Sequence, residues 1–142
     1  MTVKTETNFY KNLKKCLEAG SKKYIINRIE SYVTPGFPDC LIYHNDVGFF
    51  TIELKVVRRN KKGIGKVLIS PLQIAWNTIH MIHGAPVLIL IHDPGRGITK
   101  LFSSSKLLEL RDKSYDSVDG ELWAGALDAA FASELPKLLK LP

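Results

Sequence analysis

The chain changes hydrophobic period several times, and each change marks an element. Phe9, Tyr10, Leu13, Cys16 and Leu17 recur at helical spacing between Thr5, a capping residue, and Gly20, which predicts a helix over about 6–19. Asn8, Lys11, Asn12, Lys14 and Lys15 form its solvated side. A strand is predicted over 24–30. Two apolar runs rich in β-branched and aromatic residues, 38–43 and 49–57, flank the breaker-rich His44-Asn45-Asp46-Val47-Gly48 and predict an antiparallel hairpin. Ser70, Pro71 and Gln73 are the cap, first-turn proline and capping-box glutamine of a helix start. That helix continues through Ile74, Trp76, Ile79 and Met81 to Gly84. The aliphatic run 86–92 predicts a central strand, Asp93 to Gly97 a turn, and 98–102 a returning strand. Ser103 to Ser105 cap a short helix to about Lys113. After a polar link at 114–120, Leu122, Trp123, Ala126, Leu127, Ala130 and Phe131 predict a helix over 121–135 that Pro136 stops.

This order predicts an α/β (α+β) fold, a mixed central β-sheet flanked by helices. The 142 residues fit a single domain, with its core at about 5–102 and a C-terminal helical segment at about 103–142. The last helix packs on the body or on a second copy, as in a homodimer, and the pattern does not choose. No apolar run reaches the roughly 18 residues of a membrane span, and the N-terminus lacks a secretory apolar segment. The expectation is a soluble, cytoplasmic protein with no membrane partner. Cys16 and Cys40 lack any CxxC or Cys/His spacing and read as buried thiols, not zinc ligands. His80 and His83 have no third ligand near them in the pattern and read as ordinary histidines.

The hairpin is where the pattern carries chemistry. Phe49, Phe50, Ile52, Leu54, Val56 and Val57 leave little polar face, the mark of a strand covered on both sides, yet Glu53 and Lys55 stand in it on one face. A charge in such a strand is costly unless paired or liganded, so the two point to function. Centring the hairpin near Asn45 and Asp46 puts Asp39 opposite residue 52 or 53, beside Glu53. Two carboxylates repel unless a divalent cation or a shared proton holds them, and a lysine two residues on softens the repulsion. Gly36 and Pro38 restrict the backbone before Asp39 and fix where its carboxylate points.

Charge sharpens this reading through its distribution. The net charge is +6, but residues 1–71 hold 13 Lys/Arg against 6 Asp/Glu while 72–142 hold 7 against 8. A basic surface around an acidic centre suits a polyanion gripped by its phosphates, which makes DNA the expected partner. Residues 58–66 carry five basic side chains, two glycines and no acid. They predict a mobile loop that orders on DNA through Arg58, Arg59, Lys61, Lys62 and Lys66. The loop lacks the Gly-Lys-Ser/Thr ending of a phosphate-binding P-loop. Arg28 either approaches a phosphate, orients an active-site carboxylate, or pairs with Glu30 on the same strand face.

Gly36-Phe37-Pro38-Asp39 followed by Ile52-Glu53-Leu54-Lys55 resembles the PD-(D/E)xK nuclease motif. Arg28-Ile29-Glu30 before it and the Gln-x-x-Trp helix of Gln73 and Trp76 after it complete four ordered blocks. Their arrangement, over about Glu6 to Leu90, is similar to the virus-type replication-repair nucleases (VRR-NUC) of many phages. The resemblance implies a restriction-endonuclease-like core and a metal-dependent endonuclease that hydrolyses DNA phosphodiester bonds to 5′ phosphate and 3′ hydroxyl ends. It also implies a branched or junction substrate in phage replication, recombination or repair, in the host cytoplasm. Asp39, Glu53, the Leu54 carbonyl and Glu6 would hold one or two Mg²⁺ or Mn²⁺ ions, Lys55 would orient or help deprotonate the attacking water, and Gln73 would lie near the scissile phosphate. From the residues alone, Gln73 is a capping-box residue and Glu6 a first-turn glutamate suited to the helix dipole. A catalytically silent nucleic-acid binder would use the same basic surface without needing Asp39 beside Glu53. No chemistry is predicted after Phe102.

Overall fold

The computed structural model describes residues 3–20, 23–29 and 35–140. In chain order α1 (Val3–Gly20), β1 (Tyr24–Arg28), β2 (Cys40–His44) and β3 (Gly48–Val56) lead into a two-stranded ribbon, β4 (Arg58–Arg59) and β5 (Gly65–Lys66). Then follow α2 (Pro71–Ile82), β6 (Val87–Asp93), β7 (Ile98–Ser103), α3 (Leu107–Asp112), β8 (Trp123–Gly125) and α4 (Ala129–Leu139). One six-stranded sheet has the order β1-β2-β3-β6-β7-β8. Its neighbours are antiparallel except β3 and β6, which run parallel and are joined across α2. The expected mixed sheet flanked by helices is therefore present.

Strand alternation decides what each face buries. Phe50, Ile52, Leu54, Val56, Leu88 and Leu90 pack with Phe9, Leu13 and Leu17 of α1 and Phe131 and Leu135 of α4. Ile89, Ile91 and Phe102 face the other way, against Val67, Ile69, Leu107, Leu110, Tyr115 and Val118. β3 is buried on both faces from Phe50 to Leu54, as its mostly apolar pattern predicts. Glu53 and Lys55 alternate with Leu54 and so share the second face.

Several boundaries depart from the pattern. α1 starts at Val3, so Thr5 lies inside the helix instead of capping it; Val3 and Lys4 do not oppose helix strongly enough to stop it there. Residues 121–135 are not one helix. The open edge of β7 recruits 123–125 as β8, with Leu101 opposite Trp123 and the Leu122 N–H donating to the Leu101 carbonyl at 2.7 Å. Asp128 then caps α4 by accepting from the Ala130 and Phe131 N–H groups. Pro136 lies within α4 and does not end it. A proline there leaves the carbonyl four residues back without its helical donor. That carbonyl belongs to Ala132, and the buried Tyr24 hydroxyl donates to it at 2.7 Å. No helix among the described residues is long and apolar enough to cross a membrane.

Candidate active site

Register brings the two carboxylates together. Cys40 pairs with Ile52, and the β2–β3 ladder ends there. Asp39 is the next residue, and its Oδ2 accepts from the Leu54 N–H at 2.8 Å, taking the place a backbone carbonyl would have held. The Asp39 carbonyl accepts from the Ile29 N–H at 2.8 Å, so its backbone is held from the β1 side as well. In an antiparallel ladder a residue turns its N–H and C=O to the same neighbour, so the Leu54 carbonyl also points past the end of β2, toward Asp39.

Glu53 is 2% exposed. Its Oε1 accepts from Gln73 Nε2 at 3.2 Å, while Oε2 is buried with no hydrogen-bond partner. Burial holds its carboxyl well above the ordinary range, and the charge of Asp39 pushes the same way; Lys55 opposes, and Glu6 adds a smaller upward push. Lys55 Nζ donates to Gln73 Oε1 at 3.0 Å. Gln73 thus bridges the acid and the base. It is also the capping-box residue: Oε1 accepts from the Ser70 N–H at 3.0 Å, and the Gln73 N–H donates to Ser70 Oγ at 3.1 Å. Gln73 is therefore the capping-box residue that the residues alone predict, and the same side chain links Glu53 to Lys55.

The start of α2 is fixed from several sides. Gly36 has φ +86, and a Cβ there would overlap the Leu72 carbonyl, so this loop lies backbone to backbone on the first turn of α2. Phe37 packs on Trp76 with ring centroids 5.0 Å apart. The Gly-x-Pro-Asp and Gln-x-x-Trp blocks therefore touch. One turn further on, Asn77 is fully buried, donating to the Gln73 carbonyl at 2.8 Å and accepting from Ser104 Oγ at 3.1 Å. Sequence reasoning passed over Asn77 and Ser104; the available signal was an amide one turn after Gln73 on an apolar helix.

The remaining expected residues lie as follows. Glu6, half-buried in the first turn of α1, acts on Glu53 through its charge, but among the described residues no three His, Cys, Asp or Glu side chains gather as a ready ligand cluster. Arg28 lies opposite Cys40, donates to Thr7 Oγ1 at 3.3 Å and stands 5.5 Å from the centre of the Tyr10 ring. Glu30, its expected ion-pair partner, lies outside the described residues. Residues 58–66 are folded as the ribbon, not a loose loop: Asn60 Oδ1 accepts from the Lys62 and Ile64 N–H groups, which shapes the turn. Arg58, Lys61 and Lys62 are exposed. Arg59 is instead held by Asp93 and Asp116, and Lys66 Nζ lies 3.3 Å from the Arg111 carbonyl at the end of α3. Both cysteines are buried and free, as expected, and burial pushes the Cys16 thiol up to about 11. A cleft of about 710 Å³ lies on the α1 face of the sheet, walled by Asn8, Phe9, Val56, His92 and Leu127, and not by Glu53, Lys55 or Gln73.

The orphaned Glu53 Oε2, the facing Asp39 carboxylate and the Leu54 carbonyl make an all-oxygen set that suits a hard divalent cation such as Mg²⁺ or Mn²⁺. No family model and no curated protein matches the chain. Among solved structures it is similar to the Holliday junction resolvase Hjc of the archaeal hyperthermophile Archaeoglobus fulgidus. The two share 20% identity with a TM-score of 0.54, covering 76% of this chain and 84% of that one. The likeness is one of fold.

Proposed function

We propose that this chain is a metal-dependent DNA endonuclease that hydrolyses phosphodiester bonds in branched or junction DNA, leaving 5′ phosphate and 3′ hydroxyl ends. The observation that carries the reading is a carboxylate buried in a central strand with one oxygen unsatisfied, set beside a second carboxylate and bridged by Gln73 to a lysine. The fold shared with a Holliday junction resolvase supports the choice of substrate class. The four ordered sequence blocks support placing it beside the VRR-NUC nucleases of phages, acting in the cytoplasm.

Asp39, Glu53 and the Leu54 carbonyl would hold Mg²⁺ or Mn²⁺, and Glu6, whose charge acts on Glu53, would be a further ligand. When bound, the metal supplies Lewis-acid polarisation of the phosphate and lowers the pKa of a bound water. The chain's own part is placement. Gln73 fixes the spacing between the Glu53 carboxylate and the Lys55 ammonium, because its amide donates to one and accepts from the other. Lys55 orients the attacking water and offsets the negative charge that grows on the phosphoryl oxygens. The exposed Arg58, Lys61 and Lys62 hold neighbouring phosphates. One site per chain makes one cut, so resolving a junction calls for a homodimer. Leu72, Ile79 and Ile82, exposed at 56%, 56% and 74% along α2, are the apolar surface such a pair would cover.

The test is cleavage of 5′-labelled duplex, flap, four-way and single-stranded DNA with Mg²⁺ or Mn²⁺, against EDTA and against Asp39→Asn. Metal-dependent nicking that Asp39→Asn abolishes is expected. DNA binding without cleavage under every metal condition would leave a silent binder instead.

A further inference from the structure

Arg59 is the most fully bonded side chain beside the site, and nothing in the proposed chemistry uses it. All five of its N–H groups are engaged. Nε and Nη2 donate to the two oxygens of Asp93 at 3.3 and 2.5 Å, Nη1 and Nη2 donate to the two oxygens of Asp116 at 2.8 and 3.0 Å, and Nη1 also donates to the Gly63 carbonyl at 2.9 Å. Asp93 is buried at the end of β6, and its Oδ1 accepts from the Gly95 N–H as well. Two glycines leave the space the guanidinium fills: a Cβ at Gly65 would lie 3.1 Å from Arg59 Nη1, and one at Gly95 3.1 Å from Nε. Lys66, on the other ribbon strand, reaches the carbonyls that end α3 at 3.3 to 3.5 Å. The ribbon that begins three residues after Lys55 is thus clamped on both strands to the 111–116 segment and to the β6–β7 turn.

We infer that Arg59, Asp93 and Asp116 are positioning residues for DNA binding, locking the ribbon so that Lys61 and Lys62, with Arg58, meet the phosphate backbone already ordered. This rests on the proposed nuclease function. A run of five basic residues repels itself and would otherwise lose its freedom only on the DNA, at the expense of affinity. Arg59 and Lys66 do not contact DNA on this account. The segment after Phe102, which the sequence left without chemistry, contributes by holding the ribbon.

The inference has a sign that simple electrostatics opposes. Removing the Asp116 carboxylate makes the protein more positive, so charge alone predicts tighter binding to a polyanion. Loss of the clamp predicts weaker binding. Wild type, Asp116→Ala, Arg59→Lys and a Lys61→Gln/Lys62→Gln double variant are titrated against one labelled duplex in Ca²⁺ at several salt concentrations, with thermal unfolding recorded for each. The double variant should flatten the slope of log affinity against log salt by roughly 0.9 per lost contact. Asp116→Ala should weaken binding roughly three- to tenfold, equivalent to one or two contacts, and Arg59→Lys should do the same with net charge unchanged. In cleavage assays the loss falls on KM far more than on kcat. If Asp116→Ala does not fold, Asp116→Asn carries the same contrast. Binding as tight as or tighter than wild type in the Asp116 variant overturns the inference while leaving the nuclease reading intact; a wild type that neither binds nor cuts DNA overturns that reading itself.

Discussion

Glu53→Gln should make the metal-free protein more stable at neutral pH while destroying its activity. In the absence of metal, ionising Glu53 places a charge inside a strand covered on both faces, beside Asp39, with one oxygen satisfied by Gln73 and the other without a partner. A glutamine keeps the shape, keeps an acceptor for Gln73 and gains N–H groups that can donate to Asp39. One unsatisfied charged oxygen removed corresponds to about 1–3 kcal/mol. For a chain of 142 residues that is roughly 3–10 °C in Tm. The pH dependence follows from the raised carboxyl, whose first cause is burial and second the Asp39 charge. A group that holds its proton more tightly when folded adds stability below its unfolded value, near 4.5, and that stability is lost as pH rises through the folded value. The advantage of the glutamine variant should therefore be small near pH 4.5 and grow toward pH 8. Saturating Mg²⁺ should close the gap by stabilising wild type alone, by about 2.7 kcal/mol at a hundred times Kd. Thermal unfolding of both proteins from pH 4.5 to 8.5, in EDTA and in Mg²⁺, measures all of this. A glutamine variant less stable than wild type at pH 8 in EDTA would refute the reasoning, since Glu53 would then be a satisfied structural carboxylate.

Lys55→Ala should lower kcat by orders of magnitude with little change in DNA affinity, measured by single-turnover cleavage beside a binding titration; weaker binding with kcat intact would move Lys55 to the phosphate-contact group. Tyr24→Phe should destabilise the fold by about 1–2 kcal/mol, because the Ala132 carbonyl loses its donor. In a Pro136→Ala background, where the helix can supply an N–H to that carbonyl, the same change should have a much smaller effect on urea unfolding. Cys16 and Cys40 should resist a thiol reagent at pH 8 and react once the protein is unfolded, because burial raises both thiols, Cys16 to about 11.

Local chemistry made the site unusually legible. Strand alternation put Glu53 and Lys55 on one face, the turn residues set a register that delivered Asp39 to Leu54, and the Ser70–Gln73 spacing drew a capping box that the structure closes on both sides. What the sequence hid were consequences of contacts between distant segments. Residues 121–135 have a helical period, but β7 had an edge to fill, and no local pattern records a vacancy in a sheet built elsewhere. Pro136 reads as a helix stop until Tyr24, more than a hundred residues earlier, supplies the missing donor. The run 58–66 reads as loose because its acids are remote: Asp93 and Asp116 stand 34 and 57 residues from Arg59. A count of local charge treats every lysine and arginine there as available to DNA. Tertiary pairing commits Arg59 and Lys66 to holding the ribbon, and on the proposed reading it is this commitment, more than the total charge, that the salt dependence of binding will read.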